Sequence, residues 1–585
     1  MSAVLQAQEP SARYLTAEQP ALVREFELLA TAPGGVGRLR DLILTLAVQG
    51  KLVQQNSSDE PAHQLLETIA AEKDRQIASG RIKPDKPFKA PLDHCPFEIP
   101  KTWAWVPMGE VMEIVRGITF PASEKTKEAA PGRIACLRTA NIQEAIEWDD
   151  LLFVSRSFMG RDDQLLEPHD IVMSMANSRE LVGKVALVRH IPHPESTFGG
   201  FLGVLRPWKI DPRYAMALLR SSYARSSLID SSSQTTNIAN ISLGKLRPLP
   251  FPLPPLAEQA RIVARVDELM RLCDALEAQG RLEAEQHARL LGTLLGTLTD
   301  SSTPEALTAN WQRVADHFDL LLDRPEAVDA LEQTILQFAV RGLLVPQNPS
   351  DEPAAFLLNR LHSERARLLR EGVIKKNPSV PPVDDEGPFP LPPGWEWARL
   401  GNLANFIDYR GKTPTKTATG VPLITAKNVR QGFINRDPRE FIAETAFVGW
   451  MTRGMPRVGD LLFTTEAPLG NVAAIDIEER FALAQRVICF SLLEREMSSA
   501  LLIFLLSPWM QSALTGQASG VTAQGIKSAR LQLMPIPVPP IAEQRRIASR
   551  VWQLRRLCTD LRRRLAASQA AQSHLAEALV ESATP

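Results

Sequence analysis

No window of the 585-residue chain offers 18 or more uncharged apolar residues, so no segment reads as a membrane span. The opening MSAVLQAQEPSARYL lacks the basic-then-apolar layout of a secretory signal, and a cytoplasmic protein is expected. Cysteine is scarce. Five residues (95, 136, 273, 489 and 558) stand without a CxxC pair, which excludes a disulfide framework or a structural zinc site and predicts buried thiols. There is no excess of positive charge either: the net charge of −1 excludes a protein that coats nucleic acid by bulk electrostatics, so any such contact must come from local patches.

Catalytic signatures are missing in specific ways. The RGKT at Arg410 lacks the glycine that a Walker A loop needs five positions before Gly411, since Phe406 stands there. No (Asp/Glu)-x-Lys triplet of a carboxylate-lysine nuclease occurs, and no Asn/Asp-Pro-Pro-aromatic motif of an amino-methylating enzyme. His190 and His193 form an HxxH with no preceding glutamate and no third ligand, so they are read as surface residues and no metal site is expected. The chain is expected to catalyse nothing.

What the sequence has is itself, twice. ILTLAVQGKLVQQNSSDEPAHQLL from Ile43 is echoed by ILQFAVRGLLVPQNPSDEPAAFLL from Ile335, a shift of 292 that also carries Trp103 to Trp395 and Trp105 to Trp397. PLPPLAEQARIVARV from Pro252 is echoed by PVPPIAEQRRIASRV from Pro537, a shift of 285. Between these anchors identity is much weaker, so two similar frames hold two different inserts. At this length several domains are required.

Each repeat reads in three parts. Apolar spacing at Leu39, Leu42, Ile43, Leu46 and Ala47 predicts a helix, and Asp59 ahead of Pro61 looks like the start signal of a second. Polar, proline-bearing linkers follow. The middle part, with short apolar runs such as GEVMEIV, DIVMSM and GDLLFTT between turns, predicts an α+β domain with a twisted, mainly antiparallel or mixed sheet. The third part is a long helix with a seam in steps of four and three. Ile262, Val266, Leu269, Cys273 and Leu276 are matched by Ile547, Val551, Leu554, Cys558 and Leu561, two coiled-coil strands in one phase.

An opening LPPGWEWARLGN, continuing through RGKTP, PLITAKNV and GDLLFTT and closing with PIPVPPIAEQRRI, resembles half of the DNA-specificity subunit of bacterial type I restriction-modification systems. RGITF, LRTANI, HDIVMSM, TNIANI and PLPPLAEQARI carry the same resemblance in the first repeat. It implies two target-recognition domains (103–250 and 395–536) joined by two conserved helices (251–300 and 537–585) in an antiparallel coiled coil, with helical segments and linkers at 1–102 and 301–394. Each domain would read one half of a split, asymmetric site in double-stranded DNA, and the helices would set the spacing. The resemblance further implies a scaffold for two methyltransferase subunits and two restriction-translocase subunits, with S-adenosylmethionine, ATP and Mg held by those partners and no cofactor in this chain. About 100 residues precede the first recognition domain, which departs from many such subunits. A circularly shifted layout is expected, in which residues 17 to 80 pack against helix 541 to 581. The competing class is a coiled-coil scaffold that does not read DNA, but divergent inserts in preserved frames favour the reader.

Base edges are read by arginine or lysine on guanine and asparagine or glutamine on adenine. The candidates are therefore Arg116, Arg138, Asn141, Ser178, Arg179, Lys184, Asn237 and Asn240 in the first insert, and Arg410, Lys412, Lys427, Asn428, Asn471, Gln524 and Lys527 in the second. Asn141 and Asn428 occupy matching places and read equally well as turn caps. Residues 103–253 hold 17 basic against 16 acidic side chains and 395–538 hold 15 against 12, so placement must supply any positive face. In the Pro-Pro-x-x-Glu-Gln segments, Glu258, Gln259 and Arg261 with Glu543, Gln544 and Arg546 are candidates for docking the methyltransferase. The alternative for Glu258 and Glu543 is a first-turn carboxylate opposing the helix dipole.

Overall fold

Ile171, Val172 and Met173 are all fully buried, which an apolar run achieves only when both faces of its sheet are covered. That strand lies in a computed structural model that describes residues 29, 32–82, 95–178, 181–230, 233–235, 238–301, 303–374, 380–383, 387–409, 413–518 and 525–583. The chain divides into two units, Met1–Glu283 with Gln569–Pro585, and Ala284–Ser568.

In unit 1, helices α1 (Gly35–Val48) and α2 (Ala62–Ala78) precede the insert. Strand β1 (Ala104–Pro107) enters it and β12 (Pro250–Leu253) leaves it, and the two pair antiparallel with Ala104 opposite Leu253. Pro250 and Pro252 are tolerated because this is a two-stranded ribbon with free edges. Within the insert, β2 (Met112–Arg116), β5 (Ile171–Ser174), β7 (Val185–Leu187) and β9 (Leu202–Pro207) form an antiparallel sheet ordered β2-β9-β5-β7. A second sheet has the order β4-β3-β8, from β3 (Arg133–Leu137), β4 (Leu152–Ser155) and β8 (Ser196–Phe198), and its β3–β8 pair is parallel. Alternation along the first sheet divides its side chains. Ile171, Met173 and Leu205 join the core shared with the helices, while Val172, Val204 and Val115 face Leu137 and Phe198 of the second sheet. Helices α3 (Pro212–Arg220) and α4 (Ser222–Asp230) return the chain. The Asp211 carboxylate accepts from the Arg213 N–H and Pro212 opens α3, a capped start. A small sheet of β6 (Ala176–Asn177), β10 (Ser233–Thr235) and β11 (Ile238–Asn240) completes the insert.

Helix α5 (Leu256–Thr299) runs 44 residues, ~66 Å at 1.5 Å per residue, and passes from unit 1 into unit 2. Unit 2 then repeats the scheme with α6 (Pro304–Asp316), α7 (Pro325–Arg341) and α8 (Ala354–Arg370). Its insert is again closed by a ribbon, β13 (Glu396–Arg399) on β22 (Pro535–Val538). The main sheet is ordered β14-β21-β18-β19, from β14 (Ala404–Asp408), β18 (Leu461–Thr464), β19 (Val472–Ala474) and β21 (Val487–Leu492), the same antiparallel order as in unit 1. The second sheet, β15-β17-β16-β20, uses β15 (Lys416–Thr417), β16 (Val421–Ile424), β17 (Phe441–Ile442) and β20 (Ala482–Leu483), with a parallel β16–β20 pair matching β3–β8. Helices α9 (Ser498–Leu506) and α10 (Pro508–Gly516) stand where α3 and α4 do. Helix α11 (Ile541–Ala583) ends in unit 1. The weakly similar inserts therefore share one topology, which the sequence reading did not anticipate.

Each unit holds the start of one long helix and the end of the other, as antiparallel helices require. The unit 1 core contains Ile262, Val266, Leu269 and Cys273 together with Ala576, and the unit 2 core contains Ile547, Val551 and Cys558 together with Leu291, Leu295 and Leu298. The expected packing of the N-terminal segment on the last helix holds for the described residues. Arg38 pairs with Glu577 at 2.7 Å, Ser573 Oγ donates to the Pro33 carbonyl, and Ala576 is sealed in a core with Leu29 and Ala32. The same segment also packs on the first long helix, where Arg40 meets Asp274 and Glu277. Asp59 does not start a helix: α2 begins at Ala62 without a side-chain cap, and the Asp59 carboxylate is spent on Arg261.

Candidate nucleic-acid interface

The doubled Pro-Pro-x-x-Glu-Gln motif is an internal latch. Glu258, in the first turn of α5, is 1% exposed; its carboxylate accepts from Trp103 Nε1 at 2.9 Å and Gln55 Nε2 at 2.6 Å. Gln259 accepts from the Asp211 N–H and donates to the Pro254 carbonyl, while Arg261 grips Asp59 at 2.6 Å. Unit 2 repeats this, except that Gln544 Oε1 is buried without the N–H that Gln259 receives from Asp211. Glu543 accepts from Trp395 Nε1 at 3.0 Å and Gln347 Nε2 at 2.8 Å, Gln544 donates to the Pro539 carbonyl, and Arg546 holds Asp351 at 2.6 Å. Burial pushes both glutamates above the usual carboxylate range, against the pull of their tryptophan and glutamine donors. Asp59 is held below it by the Arg261 guanidinium.

This corrects the docking assignment for Glu258, Gln259, Glu543 and Gln544. All four are buried; the two glutamates bind the tryptophan ahead of the insert's first strand and the helical segment to the long helix, while Gln259 and Gln544 close the turn that opens it. Arg261 and Arg546 are half-buried, each in an ion pair with an aspartate of the helical segment. The missed members, Gln55, Asp59, Gln347 and Asp351, lay in plain view in the repeated QQNSSDEP and PQNPSDEP. Polar residues that recur where the surrounding surface has diverged are the signal that could have found them.

The inserts sort the DNA-reading candidates. Asn141 is buried: its Oδ1 accepts from the Arg138 N–H, and its amide donates to the Glu147 and Asp149 carbonyls. Asn428 does the same, accepting from Thr425 and donating to the Asn435 and Pro438 carbonyls. Both are turn caps with every polar atom spent, so neither presents an amide to a base edge. Asn471 likewise donates to the Val429 carbonyl from a buried position. Arg138 is tied to Asp150 at 2.7 Å, and Lys184 Nζ donates to Gln143 Oε1 at 2.9 Å.

Arg116, Ser178, Asn240, Lys427 and Lys527 are exposed. The structure brings two of these together. Strand β11 pairs with β6, Asn240 opposite Ala176 and Ala239 opposite Asn177, so Ser178 follows directly on the strand that Asn240 pairs with. Unit 2 has the matching bridge, Glu466 opposite Gly525, with Lys527 two residues on. The Ile241 N–H donates to the Met175 carbonyl as the Ile526 N–H donates to that of Thr465, so the two crossings correspond. Arg179, Asn237, Arg410, Lys412 and Gln524 lie outside the described residues.

The family model described as the type I restriction modification DNA specificity domain matches residues 100–286 and again 392–568. The chain belongs to the type I restriction-modification specificity-subunit family. Two curated Escherichia coli members are similar over 94% of this chain and 94% of their own lengths, the type I restriction enzyme EcoAI specificity subunit at 35% identity and the EcoEI specificity subunit at 32%. A solved chain, from work on complex assembly and conformational transition of the type I R-M system, aligns over 83% of this chain and 99% of its own at 20% identity, with a TM-score of 0.47. In this specificity subunit the matched segments each run from the latch tryptophan's strand through the insert and into the following long helix. Among the described residues no group of histidine, cysteine, aspartate or glutamate is arranged to hold a metal ion, and no single helix is long and apolar enough to cross a membrane.

Proposed function

We propose that this specificity subunit reads a bipartite, asymmetric sequence in double-stranded DNA, one half-site per insert, and is itself without catalytic activity. It serves as the scaffold on which two methyltransferase subunits and two restriction-translocase subunits assemble in the cytoplasm. S-adenosylmethionine, ATP and Mg belong to those partners. The observation that carries this reading is the repetition of the latch in both units around inserts that share a topology and differ in surface. A scaffold alone gains nothing from that divergence, whereas a reader of two different half-sites requires it. Exposed Arg116, Ser178 and Asn240 in the first insert, and Lys427 and Lys527 in the second, are the described candidates for contacts to bases or phosphates.

The test is methylome sequencing of a host with and without the chain, with purification of the chain from that host. The reading predicts a split methylated motif that disappears with the chain, and copurifying methyltransferase. An unchanged methylome in a host whose methyltransferase still copurifies with the chain would favour the scaffold that does not read DNA.

A further inference from the structure

Both units dock a helical segment against the first half of a long helix, and the charges on the two surfaces are reversed. In unit 1 Arg40 of α1 reaches Asp274 at 2.8 Å and Glu277 at 2.7 Å on α5. At the place of Arg40, unit 2 has Glu332 on α7, which takes Arg555 Nε at 2.6 Å and Arg562 on α11. Arg562 stands where Glu277 does, 285 residues on. Over the aligned stretches, 256–283 carries four arginines against six acids and 541–568 carries eight arginines against two.

The apolar faces of the two segments cannot tell the surfaces apart. Leu39, Ile43, Ala47 and Val48 of α1 correspond to Leu331, Ile335, Ala339 and Val340 of α7, and all eight are buried. Burial of such matched faces is non-directional and favours either segment on either helix. The rim discriminates. On the wrong helix Arg40 would face Arg555 and Arg562, and Glu332 would face Asp274 and Glu277. Arg38 would lose Glu577, because the equivalent position in unit 2 is Gly292.

We infer that this charge reversal is a docking code: it directs each helical segment to its own unit and rejects the same segment offered by the other unit or by a second copy of the chain. A duplicated chain needs such a device, because two near-identical docking faces invite exchange between copies. The code is independent of whether the inserts read DNA.

The test uses the full chain. Arg40→Glu with Asp274→Thr and Glu277→Arg gives unit 1 the Glu332–Arg562 pairing of unit 2. Glu332→Arg with Arg555→Met and Arg562→Glu gives unit 2 the Arg40–Glu277 pairing of unit 1, with Asp329→Gly added because Asp329 also pairs with Arg562 and Gly37 stands in its place in unit 1. Either single-unit variant makes the two codes alike. After refolding at high concentration, light scattering on a size-exclusion column should show its dimer fraction rising at least about fivefold over wild type, since a lost like-charge penalty removes the discrimination. The combined variant has two distinct codes again, interchanged, and should return to the wild-type distribution. If one single-unit variant fails to fold, the other and the combination still decide. A folded single-unit variant with the wild-type distribution, or a combination as dimeric as the single-unit variants, would overturn the code.

Discussion

In the first unit a glutamate holds a tryptophan at 2.9 Å and a glutamine at 2.6 Å; in the second the same three residue types meet at 3.0 and 2.8 Å. The inserts carried by these latches agree in strand order, yet even their buried polar groups differ. Asp170 and Asp460 occupy one position, each accepting a backbone N–H from three residues earlier. Asp170 is then closed by a bidentate pair with Arg206 at 2.8 and 2.9 Å. At the place of Arg206 the second insert has Ser491, and Asp460 takes the Leu492 N–H instead. The difference teaches where sequence is free. Residues that join insert to frame are fixed in both units, whereas inside an insert one buried carboxylate is solved in two ways.

That contrast can be broken most sharply at the two aspartates. Asp170→Asn takes from Arg206 its bidentate partner, leaving Glu113 at 3.6 Å and Glu167 at 3.5 Å, and should cost about 2 to 3 kcal/mol. Asp460→Asn strands no cation but leaves one of two backbone N–H donors without its acceptor, so it should cost about 1 to 1.5 kcal/mol. Urea unfolding of both variants decides, and equal losses would mean that the arginine pair is not what separates the inserts.

The latches should behave alike. Glu258→Ala and Glu543→Ala each orphan an indole N–H and an amide, about 2 to 4 kcal/mol apiece. Differential scanning calorimetry that found one latch several-fold more costly than the other would end the claim of equivalence.

A smaller effect sharpens the same point through pH. Each latch carboxyl has its folded pKa raised above the unfolded value of about 4.5, so the native state binds the proton more tightly. The stability this contributes is fully present below about 4.5 and is lost as pH rises through the raised value. Glu543→Gln removes the titration. Wild type should therefore gain stability on this variant as pH falls from 7 through the raised value toward about 4.5, and melting curves at several pH values would show a constant gap if the carboxyl were unperturbed.

Smallest is the exposed lysine. Lys527→Ala should leave stability unchanged and lower the salt slope of DNA binding by about one counterion. Affinity measured against salt concentration would show an unaltered slope if Lys527 touches no phosphate.

The frame was legible in the sequence because duplication prints it twice. The shifts of 292 and 285 located the helical segments, both tryptophans and both long helices, and the extra N-terminal residues located the partner of the last helix. What the latch does was not legible. Glu258 and Gln259 sit in a first turn, where a carboxylate is as well explained by the helix dipole as by a distant tryptophan, and only the fold brings Trp103 across 155 residues. The insert topology was hidden for another reason. Strand order is fixed by alternating burial on two faces, which many apolar residues satisfy, so Val172 and Leu462 do one job with little identity around them. Asn141 and Asn428 show the ambiguity of polar residues: a turn cap and a base reader call for the same amide, and burial alone separates them.

The account's central claim is that one fixed frame carries two independent readers. The most direct measurement replaces residues 104–250 with the corresponding insert of another specificity subunit, keeps Trp103, Glu258 and everything after residue 250, and sequences the methylome of the host. The prediction is a motif in which one half-site has changed and the other half-site and the spacer have not. A motif changed in both halves, from a protein that is folded and still bound to its methyltransferase, would contradict it.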